Sequence, residues 1–119
     1  MIVKDVVSEL GFSVAAGAEG LEREITGGYA ADLLSCVMAG AREGDIWVTL
    51  QAHPNVVAVA DLLNLAAVVI AEDTVPDEAT LARADERGVP ILRSQLTTFA
   101  IVGQLIAQGV GDGDNVRRA

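Results

Sequence analysis

Short polar clusters after apolar runs are the parts of this 119-residue chain whose residue types could do chemistry. Their hydroxyls, amides, carboxylates, N–H groups and one imidazole can hydrogen-bond a small polar ligand. Glu72 and Asp73 also follow an apolar run, but they fit a solvated loop before a helix. The candidate ligand-binding residues are Thr26, Gly27, Gly28, Tyr29 and Asp32, then Thr49, Gln51, His53 and Asn55, and finally Ser94, Thr97 and Thr98.

His53 is the only histidine, and histidine exchanges protons more readily near neutral pH than other side chains. It could act as a general base together with Gln51, Asn55 or Ser94. However, no serine or cysteine nucleophile is paired with it at a recognisable spacing. A histidine before Pro54, at a helix start, is more often a loop or capping residue. We therefore predict no catalytic residues and a protein that is not an enzyme.

Metal and phosphate motifs are absent from the sequence. One histidine, one cysteine and dispersed carboxylates give no metal-ligand spacing, so we predict no metal and no cofactor. The only lysine is Lys4 and no GxxxxGK[ST] sequence occurs, which excludes an ordinary P-loop kinase or NTPase. An anion could still bind at a helix start, at Gly28-Tyr29 or at Thr97-Thr98, where backbone N–H groups point outward.

The composition is that of an acidic, aliphatic folded domain. Apolar residues make up 51% of the chain but aromatic residues only 3%, so valine, leucine, isoleucine and alanine must build the core. The net charge is −9, and the eight basic residues form no stripe along the sequence. This pattern argues against nucleic-acid binding.

Compartment and cysteine usage follow from the same sequence. No basic segment followed by an apolar stretch opens the chain, and the apolar run of residues 65–71 is too short to cross a bilayer. We therefore expect a cytoplasmic protein that does not bind membranes.

The single cysteine, Cys36, lies among Leu33, Leu34, Val37 and Met38, which predicts a buried, unreactive thiol.

Apolar periodicity places the polar clusters between alternating strands and helices. Strands are predicted over residues 12–16, 21–26, 46–50, 66–71 and 89–93. Helices are predicted over residues 2–10, 30–39, 56–65 and 76–87, followed by a last helix capped by Thr97 or Thr98. Gly27-Gly28 is interpreted as a tight turn between a strand and a helix.

Short connections and right-handed crossovers then predict an α/β fold, a three-layer sandwich with a mainly parallel sheet. In such sheets ligands bind outside the carboxyl ends of the strands. We therefore expect the candidate residues, including the Gly27-Gly28-Tyr29 turn, to line that edge. The helix over residues 56–65 is apolar nearly all round, which predicts either deep burial or cover by a second subunit, as in a homodimer.

Two stretches carry a family resemblance. Glu24-Ile25-Thr26-Gly27-Gly28 resembles the DRTGG motif, and Glu86-Arg87-Gly88-Val89-Pro90-Ile91-Leu92 with Thr97-Thr98-Phe99 fits the later pattern. The chain resembles a stand-alone DRTGG-domain protein, similar in fold to the N-terminal domain of HPr kinase/phosphorylase. The resemblance covers residues 1–108, and residues 109–119 are expected to form a flexible tail. Glu24 and Ile25 replace the Asp and Arg of the motif, so no phosphate-binding role of that arginine carries over.

The resemblance implies a regulatory function rather than catalysis. We predict a homodimeric regulatory module that binds a small phosphorylated ligand, such as a nucleotide, at the carboxyl ends of the strands. Small stand-alone members also resemble proteins labelled hydrogenase-associated. The alternative is therefore an interaction or assembly subunit of a redox (hydrogenase-associated) or signalling complex, with a partner protein and no ligand.

Overall fold

The structure, a computed structural model, describes residues 1–111, and strands and helices alternate along this part of the chain. The strands are β1 (Ser13–Ala16), β2 (Gly27–Ala30), β3 (Asp45–Thr49), β4 (Ala67–Ile70) and β5 (Ile91–Arg93). The helices are α1 (Val3–Leu10), α2 (Leu34–Gly40), α3 (Asn55–Leu62), α4 (Glu78–Arg87) and α5 (Thr98–Ala107), with a short 3₁₀ helix at Ala18–Gly20.

The five strands form one sheet in the order β1-β5-β4-β3-β2. β2, β3, β4 and β5 run parallel, and β1 joins the far edge antiparallel to β5, with Ser13 opposite Arg93. Every residue of β3 and β4 is buried, as expected for central strands covered on both faces. The predicted three-layer α/β sandwich with a mainly parallel sheet is confirmed.

Successive strand residues face opposite layers of the sandwich. Trp47, Val68 and Ile70 pack with α2, α3 and α4 in one apolar cluster. Ile46, Val48, Val69 and Leu92 pack with α1 and α5 in the other. α2, α3 and α4 all lie on one face because the strands from β2 to β5 are added in one direction by right-handed crossovers. These parallel strands therefore contain no point at which the strand order reverses.

The predicted strand over residues 21–26 is wrong, because the strand at this place is β2, Gly27–Ala30. Gly27 pairs with Asp45 and Gly28 with Ile46, so the double glycine is strand backbone and not a turn. Glycine usually weakens strands, which is why the pattern predicted a turn. A Cβ added at Gly28 would lie 3.5 Å from Val110 Cγ1, so a small residue here suits close packing of the chain end. The following helix starts at Leu34 and not at residue 30.

The apolar helix over residues 56–65 is α3, and it is buried within its own chain. Val56, Val57, Val59 and Ala60 are all covered by the surrounding layers. Among its large apolar side chains, Leu62 is the exposed one, at 69%. Deep burial, rather than cover by a second subunit, accounts for its composition.

The expected flexible tail begins with a packed turn. Val110 is buried, with 7% of its surface exposed, and belongs to the cluster beneath α5. The packed part of the chain thus extends at least to residue 110, beyond the expected boundary at residue 108. Residues 112–119 of that tail lie outside the described part of the chain. Within residues 1–111, no helix has the length and apolar character needed to cross a membrane.

The prediction that Cys36 is buried is wrong, because its side chain is exposed on α2. This helix has seven residues and buries only Val37, so most of its side chains point to solvent.

We therefore expect Cys36 to react fully with a thiol reagent such as Ellman's reagent in the folded protein. The same protein in denaturant gives the total thiol as a control. A thiol that reacts only after unfolding would contradict the exposed position.

Candidate functional site

The loops that follow β2, β3, β4 and β5 meet at one edge of the sheet, and we call residues 31–33, 50–54, 71–77 and 94–97 the strand-end surface. Backbone hydrogen bonds tie these loops together. Ala71 N–H donates to the Thr49 carbonyl, and Glu72 N–H donates to the Leu96 carbonyl, each at 2.9 Å. Asp73 N–H donates to the Ser94 carbonyl, also at 2.9 Å. The surface is therefore continuous from β3 to β5.

Asp32, Thr49 and Gln51 come together at this surface and bond to one another. The Thr49 hydroxyl and the Leu50 N–H both donate to Asp32 Oδ1, at 3.0 and 2.7 Å. The Gln51 side-chain amide donates to the Asp32 carbonyl at 3.0 Å, and its N–H donates to Thr49 Oγ1 at 3.1 Å. This network joins the β2 and β3 loops, so these residues hold the shape of the surface.

His53 is exposed, and its Nδ1 accepts a hydrogen bond from the Asn55 N–H at 3.2 Å. The acceptor role of Nδ1 assigns the proton of a neutral ring to Nε2. The N-cap residue of α3 is Pro54, and His53 binds the N–H of Asn55, the first residue of that helix. None of the hydrogen bonds described within residues 1–111 joins His53 to a hydroxyl or thiol nucleophile.

Ser94, Thr97 and Thr98 surround the start of α5. Ser94 Oγ accepts from the Leu96 N–H at 3.1 Å. Thr97 is the N-cap, because its hydroxyl accepts from the Ala100 N–H at 3.2 Å, and Thr98 is the first helical residue. The first N–H groups of a helix have no partner inside it. Because α5 begins directly after Thr97, its first N–H groups lie beside the strand-end surface.

Glu72 and Asp73 make a tight turn in this surface. Both have positive φ angles, 57° and 56°, which is uncommon for residues other than glycine. Arg93 stabilises the turn, donating to the Asp73 carbonyl at 3.0 Å and to its carboxylate at 3.1 Å. The guanidinium is therefore already engaged.

Exposed apolar side chains at this edge were missed by the sequence analysis. Each of them follows a polar residue or stands at the start of a helix whose apolar spacing predicts burial. The local sequence pattern therefore does not predict that these side chains are exposed. Single exposed apolar residues are ordinary, but several along one edge indicate a contact surface. They are Leu33, Leu50, Val75 and Leu96, and Phe99, 90% exposed, lies beside them in the first turn of α5.

Thr26, Gly27 and Gly28 do not lie at this surface, and their predicted placement there is wrong. They lie at or just before the start of β2, which runs parallel to β3, so they lie at the opposite edge beside the start of β3. Thr26 N–H donates to the Gly44 carbonyl at 2.9 Å. Tyr29 is within the strand, and its hydroxyl donates to the Cys36 carbonyl at 3.1 Å.

Gly28 and Tyr29 instead line an apolar hollow between β2 and α5, which we call the edge groove. It has a volume of about 410 Å³. Gly28 has no side chain and Ala30 has only a methyl group, which leaves space between the edge strand and the helix. The other lining residues are Ile46, Val48, Val102, Leu105, Ile106, Val110 and Gly111.

Among the described residues, no three histidine, cysteine, aspartate or glutamate side chains cluster so that they could hold a metal ion. The polar network around Asp32 also has no basic member. What this arrangement offers is hydrogen bonding and apolar contact.

Comparison with known proteins places the fold in the α/β class found in DRTGG-containing regulatory regions. No family model matches the chain, and no curated protein matches it in sequence. A solved structure does match, with a TM-score of 0.69 and 14% sequence identity. It is the crystal structure of the CBS and DRTGG domains of the regulatory region of Clostridium perfringens pyrophosphatase, complexed with its activator diadenosine tetraphosphate. The match covers 92% of this chain and 47% of that one, so the chain spans about half the length of that structure.

Proposed function

We propose that this chain is a non-catalytic, cytoplasmic regulatory module that forms a homodimer and binds a small phosphorylated ligand, such as a nucleotide, at the strand-end surface. The observation that carries this proposal is the likeness in fold to a regulatory region solved with a dinucleotide activator. We also propose that the chain is similar in fold to the N-terminal domain of HPr kinase/phosphorylase.

The strand-end surface offers complementary groups for such a ligand. Exposed Leu50 and Leu96 can contact the flat face of a base. β3 and β5 are two strands apart, so their loops lie about 10 Å from each other. Phosphate oxygens can accept from the first N–H groups of α5 and from the Thr98 hydroxyl. His53 and Asn55 are exposed donors on the other side.

Charge limits the class of ligand. The chain carries a net charge of −9, and Arg93 at this surface is bound to Asp73. A ligand with many phosphates would be repelled, so a nucleotide with one or few phosphates fits better than a long polyphosphate.

The test is a thermal-shift and calorimetric titration with AMP, ATP and diadenosine tetraphosphate. A ligand at about 100 times its Kd adds about 2.7 kcal/mol to the unfolding free energy, which raises Tm by several degrees. Thr98→Val removes one hydroxyl at nearly constant volume, and it should weaken binding at least about tenfold. Ser8→Ala, which removes an exposed hydroxyl on α1, is the matched control. A panel without any shift would overturn the ligand-binding proposal.

The second candidate is an assembly subunit of a redox (hydrogenase-associated) or signalling complex. The observation that favours it is the row of exposed apolar side chains at the strand-end surface, including Leu33 and Val75. This candidate predicts no response to nucleotides. It also predicts that Leu33→Asp abolishes binding to the partner protein while leaving Tm unchanged.

A further inference from the structure

α5 is apolar on both of its sides. Ile101 and Leu105 face inward and are buried in the core. Phe99 and Ile106, seven residues apart, face outward and are 90% and 59% exposed. Val102 and Gly103 lie between them on the same stripe at helical spacing. A helix that is apolar all round is normally covered on both sides, and among residues 1–111 nothing covers Phe99 and Ile106 on the outer side of α5.

α5 and the edge strand β2 beside it are also free of charged residues. No Asp, Glu, Lys or Arg occurs between Ser94 and Gly111, in a chain with 17 acidic and 8 basic residues. Residues 25–31, which include β2 across the edge groove, carry no charge either. Two copies of a chain with a net charge of −9 repel each other, so contact through an uncharged surface such as this one is favoured.

We infer that the occupant of this face is a second copy of the chain, with its α5 packed antiparallel against the first. This inference deepens the proposed homodimer by naming its surface. If a two-fold axis passes by Gly103, residues equally far on either side of it lie opposite each other. Phe99 then meets residue 107 of the second copy, next to its Ile106 and its edge groove. Each Phe99 enters the groove of the other copy, which makes the contact isologous.

Gly103 supports the crossing point. It is exposed in the middle of a helix, where glycine is less favourable than alanine. Within the described residues, no atom lies within 4 Å of a Cβ added at Gly103, so none of these residues requires a glycine there. A second helix close to that position would supply the reason.

Other occupants fit less well. Residues 112–119 follow Gly111 in the sequence, but they contain two aspartates, two arginines and a single large apolar residue, Val116. Such a segment would place charge in an apolar groove. The groove of about 410 Å³ can accept an aromatic ring, whereas the chain's own Phe99 remains 90% exposed.

The surface is small, so we expect a dimer with a Kd in the micromolar range.

The test is sedimentation of the full chain over a concentration series that spans the micromolar range. Gly103→Glu adds a charged side chain at the crossing point, and Phe99→Asp removes the ring that enters the groove. Each should weaken dimerisation at least about 100-fold. Ala82→Glu, which adds the same charge to an exposed position on α4, should leave the dimer intact.

Loss of the dimer in the Gly103→Glu and Phe99→Asp variants would not be caused by unfolding. Gly103 has open space around it and Phe99 is almost fully exposed, so both variants should keep the circular dichroism spectrum and Tm of the monomer. A monomer at all concentrations would overturn the inference, as would a dimer that survives both substitutions. A dimer that appears only after removal of residues 112–119 would also overturn it, because that segment would then cover the groove. Nucleotide binding is measured in a separate titration, so the result for the dimer does not decide whether the chain binds a ligand.

Discussion

A Trp47→Ala variant should lose about 3–5 kcal/mol of unfolding free energy, a large part of the stability of a domain of this size. Trp47 is fully buried in β3, the central strand beside β2. Its indole N–H donates to the Ala31 carbonyl at 2.8 Å, so the side chain also anchors the loop that follows β2. Urea unfolding followed by circular dichroism gives the change, because no other tryptophan is present as a fluorescence probe.

Trp47→Phe is the matched control for this prediction. It keeps most of the apolar volume and removes the donor to the Ala31 carbonyl. We expect a smaller loss, about 1–3 kcal/mol, from the unpaired carbonyl and the remaining space. Equal losses in the two variants would show that the hydrogen bond dominates, contrary to the packing argument.

A Gly17→Ala variant should lose about 2–5 kcal/mol. Gly17 has a φ angle of +73°, which costs about 1–2 kcal/mol for a residue with a Cβ. An added Cβ would also collide with the carbonyl of Val89, and relief of such overpacking costs a further 1–3 kcal/mol or so. Gly17 N–H donates to Asp85 Oδ1 at 2.8 Å, so displacement would loosen α4 as well.

Gly11→Ala separates the two causes. Gly11 has nearly the same φ angle, +72°, but within the described residues no atom lies within 4 Å of its added Cβ. Chemical denaturation should therefore show a loss of only about 1–2 kcal/mol for Gly11→Ala. If Gly17→Ala costs no more than Gly11→Ala, the close approach to Val89 does not constrain the fold.

The central part of the fold follows from local pattern because burial on both faces produces unbroken apolar runs. Residues 46–50 and 66–71 could be recognised as strands for this reason, and β3 and β4 lie there. The edge strand β2 has no such run. Its first two residues are glycines, which pair with Asp45 and Ile46 of β3, and Gly28 also lies beside Val110. Such contacts are distant in sequence and leave no local signal.

The same limit applies to the candidate site. Parallel strands end at one edge, which is why Asp32, Thr49 and Gln51 could be expected to meet. That they bond to one another depends on loop geometry, which spacing does not encode. The exposure of Phe99 could not be predicted either, because its helical spacing reads as core. The direction of the crossovers also matters, since the parallel strands show no reversal in strand order and form no crevice of the usual kind. The proposed ligand would therefore bind on the strand-end surface itself, against the loops.

The pairing of β1 with β5 has a consequence for synthesis of the protein. Among the strands of residues 1–111, β1 leaves the ribosome before the others, yet its neighbour in the sheet is β5, which leaves after them. Ser13 and Arg93 are 80 residues apart, so about 4–16 s pass between synthesis of β1 and synthesis of its partner strand at ordinary elongation rates. β2, β3 and β4 each join a neighbour made just before or after them and can assemble in order of synthesis. The nascent chain therefore exposes an unpaired strand for most of its translation, and it completes its sheet only when the amino-terminal segment folds back onto the last strand.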